Sequence, residues 1–280
     1  MNIKLKYLLL ISFIILGNSC SNNKDYLVTI ETKFGDMKLI LFDETPKHKS
    51  NFIKLAKSGR YDSTIFHRVI KGFMVQGGDI DTKEENNPSD ETIPAEFVPK
   101  YYHKKGALAA ARQGDQVNPK KASSWCQFYI VQGDQFSKEQ LSVDQDKFSI
   151  KLRNYIGLEK NASLKEELLN LYNSGDKETY QEKVYSLIPE IEAEYNVVLT
   201  KDYPAERLND YSTIGGAPHL DDQYTVFGMV VEGLEVIDAI ADQPTGPGDK
   251  PAEDIVMKVK VEEMNKKKIT KEYGYRYPES

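Results

Sequence analysis

Apolar and polar residues alternate from Leu27 to Thr32, and again from Met37 to Phe42 after the stretch Phe34-Gly35-Asp36. Period two on both sides of a glycine turn predicts a β-hairpin with one buried face. Thr45 then precedes Pro46, and Phe52, Ile53 and Ala56 form an apolar stripe that runs out at Gly59. A capping threonine, a proline at the first position and a glycine stop predict a helix there. Two short apolar runs, 66–70 and 73–76, flank Lys71-Gly72 and predict two strands with a turn between them. Residues 80–105 are polar and loop-like, with Pro88, Pro94 and Pro99. Later, 224–231 predicts a strand, 233–240 a second helix and the alternating 255–261 a closing strand.

The middle of the chain follows a different rule. Ser163-x-x-Glu166 reads as a capping box ahead of Leu164, Leu168, Leu169 and Leu171. Tyr180, Val184, Leu187 and Ile191 recur at helical spacing, with Pro189 at a possible kink. Residues 137–213 are therefore expected to be an inserted α-helical hairpin. They hold 15 acidic and 10 basic residues, a net −5 within a chain whose formal charge is −6. The insertion is thus either an acidic surface decoration or an arm that binds partner or substrate. Residues 266–280 are expected to be a C-terminal tail, basic and then tyrosine-rich, and partly disordered.

Composition is that of an ordinary soluble protein, 40% apolar and 29% charged. A net negative charge excludes the basic footprint that nucleic acid needs, so no nucleic-acid partner is expected. At the N-terminus, Lys4 and Lys6 precede an apolar run from Tyr7 to Leu16 and then Gly17-Asn18-Ser19-Cys20. That is the build of a secretory signal. A cysteine at the break resembles bacterial lipoproteins, cleaved before a cysteine that is then acylated, although Gly17 stands where that pattern prefers leucine. The alternatives are a plain cleaved signal and an uncleaved anchor. On the lipoprotein reading 1–20 is a signal peptide with the lipidation site Cys20, and 21–25 is a tether. The protein then sits lipid-anchored in a bacterial cell envelope, facing the periplasm or the surface. Cys126 is left as the other cysteine, expected to be buried and inert. The four histidines show no metal spacing, and neither metal nor cofactor is expected. Nothing in the sequence bears on oligomeric state.

The densest stretch is Phe66 to Asp79, FHRVIKGFMVQGGD. Taken alone it is an ordinary hairpin with a solvated arginine and a Phe and Met in the core. It also resembles, without a gap, the signature of the cyclophilins, the peptidyl-prolyl cis-trans isomerases. The order hairpin, helix, FHRV resembles the opening of that family, including Asn51-Phe52 inside the helix. GALAAAR at 106–112, CQFYIVQ at 126–132 and GGAPHLDDQYTVFGMVVEGLEVIDAI from Gly215 continue the likeness, over about three-fifths of the chain. The resemblance implies a mainly-β fold: a closed eight-stranded antiparallel barrel capped by two helices, discontinuous over 26–136 and 214–265.

It also implies cis-trans isomerisation of X-Pro bonds in exported or envelope polypeptides, assisting their folding. Arg68 would be the catalytic cation, and Gln76 would position the substrate carbonyl and orient Arg68. Phe73, Met74 and Leu220 would form the proline pocket, with Tyr129 in place of the usual phenylalanine. Ala111 and Arg112 would bind the residue before proline through backbone, Gln127 would support that edge, and Phe227 would lie in the floor strand. Three departures stand out: His219 for a tryptophan that contacts cyclosporin in eukaryotic members, Tyr224 for a histidine, and Arg112 for asparagine. The rival reading is a cyclophilin-like binding module that holds proline-containing clients, with turnover incidental.

Overall fold

The computed structural model describes residues 23–83 and 91–278. Eight strands form one antiparallel sheet: β1 (Lys24–Thr32), β2 (Gly35–Leu41), β3 (Phe66–Ile70), β4 (Met74–Gly77), β6 (Ala107–Ala110), β8 (Phe128–Val131), β9 (Val226–Glu232) and β10 (Lys258–Asn265). Two-residue β5 (Thr92–Ile93) and β7 (Ser123–Ser124) make a separate ribbon. The order across the large sheet is β10-β1-β2-β9-β6-β8-β4-β3, curled as a half-barrel.

The expected closed barrel is not met as a continuous ladder. Edge strands β3 and β10 have no register with each other. The segments just ahead of them meet instead, through an isolated bridge between Ile65 and Val256. Ser63 N donates to Met257 O at 3.0 Å, Met257 N to Thr64 O at 2.9 Å and Phe66 N to Ile255 O at 2.9 Å. The closing strand, expected over 255–261, is displaced for the same reason: 255–257 is spent on that contact and β10 begins at Lys258.

Period two decides what each strand contributes. Val75, Leu108, Ala110, Phe128, Ile130 and Phe227 point inward to one core, where α1 (Pro46–Lys57) adds Phe52 and Leu55 and α9 (Leu234–Ala241) adds Val236 and Ile237. Phe227 therefore faces away from the candidate pocket. The alternate residues Met74, Ala107, Ala109, Tyr129 and Val131 form an apolar patch on the opposite face, joined by Ala111, Leu220 and Val226.

Between β8 and β9 the expected two-helix hairpin is replaced by six helices. They are α3 (Lys138–Leu141), α4 (Gln145–Ile156), α5 (Ala162–Ser174), α6 (Lys177–Ser186), α7 (Ile188–Tyr195) and α8 (Ala205–Thr213); the remaining one near the site is the short α2 (Ile80–Lys83). Val184, Leu187 and Ile191 join Phe148 and Leu168 in a core of their own, while Leu169 is exposed. The second expected helix breaks at Leu187, with Pro189 at the start of α7. The capping box lies at Ser137 and Gln140, not at Ser163, which is already inside α5. The insertion returns to the sheet at Gly215-Gly216, where a Cβ on Gly216 would stand 2.3 Å from the Tyr211 ring and 2.4 Å from His103 O. Only glycine fits there.

The C-terminus is ordered as far as it is described. α10 (Lys266–Tyr273) buries Ile269, and Tyr275 and Tyr277 pack on the sheet. The signal and lipidation readings, Cys20 included, fall outside the described residues. Among those described, no helix is long and apolar enough to cross a membrane.

Candidate active site

Arg68 and Gln76 are direct partners in the β3–β4 ladder, and Gln76 faces Tyr129 across β4–β8. One row across three strands thus carries the cation, the amide and the ring. The register shifts between Phe66 and Arg68, a bulge that changes which way the β3 side chains are aimed. Gly72, at φ 77°, makes the turn that returns Phe73 and Met74 to the same side. The turn is held by Gly72 N donating to Gln132 Oε1 at 2.7 Å.

The apolar wall is Phe73, Met74, Tyr129, Leu220 and Tyr224, packed with the small buried residues Ala107, Ala109 and Ala111. His219 comes from a short 3-10 turn, Pro218–Leu220, and its ring lies 5.2 Å from that of Phe73. Burial, reinforced by nearby His103, lowers the His219 pKa against the pull of Asp221. The Tyr224 ring stands edge-on to Tyr129 at 5.9 Å and lies under the Arg112 guanidinium at 4.4 Å.

Arg112 is turned back on the fold. Its Nε donates to Gln223 O at 2.8 Å and its Nη1 to Asp115 at 2.6 Å, leaving 5% of the side chain exposed. Ala111 N donates to Gln127 O at 3.0 Å and Ser124 N to Ala111 O at 2.8 Å, so this edge is already braced. Beside it a cavity of about 770 Å³ is lined by Gln76, Ala111, Arg112 and Gln127, together with Ser124 and Trp125. Of the expected residues, Phe73, Met74, Tyr129, Leu220 and Tyr224 cluster together, with His219 against Phe73; Gln76, Ala111, Arg112 and Gln127 line the neighbouring cavity, and Arg68 joins through its pairing with Gln76.

The partner of Arg68 is new. Gln76 Nε2 donates to Gln127 Oε1 at 3.1 Å rather than orienting the arginine. Arg68 Nε donates instead to Asp249 Oδ2 at 3.2 Å, and both side chains are nearly half exposed. Asp249 lies 181 positions away, in a Gly-Pro-Gly-Asp turn where its own φ is 60°. The available signal was the Pro-Gly turn before the closing strand; nothing local tied it to Arg68.

His67 and Cys126 are structural. The Nδ1 of His67 is buried without a hydrogen-bond partner, and burial lowers its pKa. Burial pushes the Cys126 thiol up to about 11. Among the described residues, the grouping with metal-ligand types is Asp79, Asp81 and Cys126, with ligand atoms within 4.8 Å of one another. Its carboxylates already accept from Thr82 and Trp125.

An arginine, two glutamines and an apolar wall thus stand on one side of the half-barrel. The family model "Cyclophilin type peptidyl-prolyl cis-trans isomerase/CLD" matches residues 27–148 and 207–261. The chain belongs to this family, the cyclophilin-type peptidyl-prolyl cis-trans isomerases. It is 33% identical over 235 residues to a Streptococcus pyogenes protein named for phosphatase and peptidyl-prolyl cis-trans isomerase functions, covering 82% of this chain but 37% of that one. A Staphylococcus saprophyticus protein named for the isomerase alone is 28% identical, over 86% of this chain and 93% of that one. Among solved structures, a cyclophilin-type isomerase of Cryptosporidium parvum has a TM-score of 0.49 at 21% identity, covering 85% of this chain and 98% of that one. The same protein in the presence of the dipeptide Ala-Pro gives 0.48 at 21%, over 83% and 96%.

Proposed function

We propose that this protein isomerises X-Pro bonds in exported or envelope polypeptides, assisting their folding, from a lipid anchor on Cys20. The observation that carries the catalytic part is Arg68 set across the ladder from Gln76, at the margin of the Phe73–Met74–Tyr129–Leu220 wall.

An X-Pro bond prefers trans by only about 0.5–1 kcal/mol, yet exchanges in tens to hundreds of seconds unaided. Its barrier of about 18–20 kcal/mol is amide resonance. No covalent bond is exchanged, so the catalyst must favour the twisted amide, whose nitrogen carries a localised lone pair. In this reading the wall holds the proline ring, Gln76 and Gln127 grip the chain before it, and Arg68 donates a hydrogen bond to the twisted nitrogen. A donor that acts on the twisted state and not on either planar state lowers the barrier in both directions. The finer picture of a functionally closed barrel belongs to this proposal too, with the Ile65–Val256 bridge as its seam.

Exchange NMR on an Ala-Pro peptide tests the reading, using protein without residues 1–20. Wild type should accelerate cis-trans exchange, and Arg68→Ala should lower the rate about 10²-fold or more, the scale of losing one transition-state donor. Peptide affinity should fall far less. Folded wild type that binds the peptide without accelerating exchange would favour the client-holding module instead.

A further inference from the structure

Two features remain outside this account: the tyrosine where phenylalanine was expected in the pocket, and the helical insertion. They meet at one buried chain of hydrogen bonds. Tyr129 Oη lies 2.9 Å from Nε2 of His103, whose side chain is fully buried. The His103 Nδ1 lies 3.0 Å from Asp221 Oδ1, and the same oxygen accepts from the His103 backbone N at 2.9 Å. A carboxylate only accepts, so Nδ1 carries a proton toward Asp221; in the neutral imidazole Nε2 is then the acceptor, and in that state Tyr129 donates its hydroxyl to His103.

The other side of the Asp221 carboxylate is closed by the insertion. Tyr211 Oη, from α8, lies 2.9 and 2.8 Å from its two oxygens. Arg207 Nη1, also from α8, lies 3.4 Å from Oδ2, and Tyr203 Oη reaches the same oxygen at 3.5 Å. Asp221 directly follows Leu220 and His219, which line the pocket. The carboxylate is thus fixed from the insertion, and it fixes in turn both a pocket ring and the turn that bears two pocket side chains.

We infer that α8 is a working part of the proline pocket, with Tyr211, Asp221 and His103 as positioning residues that hold Tyr129 and Leu220 in place for the proline ring. This rests on the reading of that face as the peptide site. Unpaired buried donors and acceptors are costly, so the chain holds as a unit or reorganises as one. The pocket is then preorganised only while α8 is docked, which gives the insertion a role in affinity without contact to the peptide.

Tyr211→Phe tests this, because it removes one hydroxyl and keeps the ring that packs on Tyr102 at 5.7 Å. NMR line-shape titration with an Ala-Pro peptide separates dissociation constant from exchange on the enzyme, and ring signals report His103 and Tyr129 directly. The substitution should weaken binding about three- to tenfold, change bound exchange by less than about twofold, and shift the His103 ring signals. In a Tyr129→Phe background it should weaken binding by less than about twofold, since coupled pairs are not additive. Asp221→Asn, which keeps the shape and removes the charge, should act in the same direction and serves if Tyr211→Phe does not fold. Wild-type affinity and unmoved His103 signals in the folded variant, or full multiplication of the Tyr211 and Tyr129 effects, overturns the inference. A wild type that binds no proline peptide would instead overturn the reading of the site, and the ring signals would still decide whether the chain of bonds is coupled.

Discussion

Asp249 bears on Arg68 more directly than any other side chain among the described residues. It takes the Nε edge of the guanidinium, leaving the Nη groups to meet a peptide. Because both partners are nearly half exposed, the pair adds little to stability, within about 0.5 kcal/mol. Its effect should be on aim. Asp249→Ala is expected to leave the melting temperature within about 2 °C of wild type. Turnover on an Ala-Pro peptide should fall about tenfold, with peptide affinity changed less than about twofold, because a misaimed donor is lost to the transition state first. Exchange NMR alongside a thermal melt checks both halves. Undiminished turnover would show that Arg68 keeps its aim without the carboxylate.

At the scale of elements, helix α1 shows where sequence reading succeeds and where it stops. Its span, its Pro46 start and its buried Phe52, Ile53 and Ala56 follow from spacing alone. Its cap does not. The Thr45 hydroxyl donates to Phe42 O at 3.2 Å and makes no cap bond. Glu96 accepts instead from Lys47 N and His48 N at 3.1 Å each, and also bonds His48 Nδ1 at 2.7 Å. Glu96→Ala should cost about 1–2 kcal/mol in a urea melt, the worth of a cap plus a carboxylate at a helix start. A stability unchanged to within error would mean water caps this helix as well. The same division runs through the whole sheet. Alternation made the β1–β2 hairpin legible, because period two assigns faces, whereas β6 and β8 are buried along their whole length and were reached only through the family likeness. The cap from Glu96, the ion pair from Asp249 and the seam at Ile65 join residues far apart in sequence, and no local pattern encodes them. The insertion was legible as helical from Leu164, Leu168 and Ile191. Its helix ends were not, and the capping box was read at Ser163, already inside the 13-residue α5, instead of at Ser137.

For the molecule as a whole, three histidines set the first response to acid. Burial lowers the pKa of His48, against Glu96; of His67, against Asp79; and of His219, against Asp221, all from an ordinary value of 6.5. The unfolded chain takes up these protons as pH falls through about 6.5, while the folded protein resists until lower pH. Their contribution to stability is therefore complete above that value and is lost as pH falls through the depressed folded values. Carboxylates form a second, lower window. For Asp210 and Asp238 burial pulls upward, but hydrogen bonds from Lys104 and Lys105 win and keep both below the usual 3.8. Their contribution is present above about 4 and lost in stronger acid. The melting temperature should be level from about pH 7 to 8, decline between about 6.5 and 5, and fall again below 4. His67 should be the most sensitive site in the first window. Its buried Nδ1 has no acceptor for a second proton, and the Arg68 charge beside it opposes protonation. Imidazole NMR titration alongside the melts should find His67 still neutral at a pH where unfolded histidine is charged. A melting temperature that holds level or rises between pH 7 and 5.5 would mean that the folded protein accommodates these protons, and that burial does not govern its response to acid.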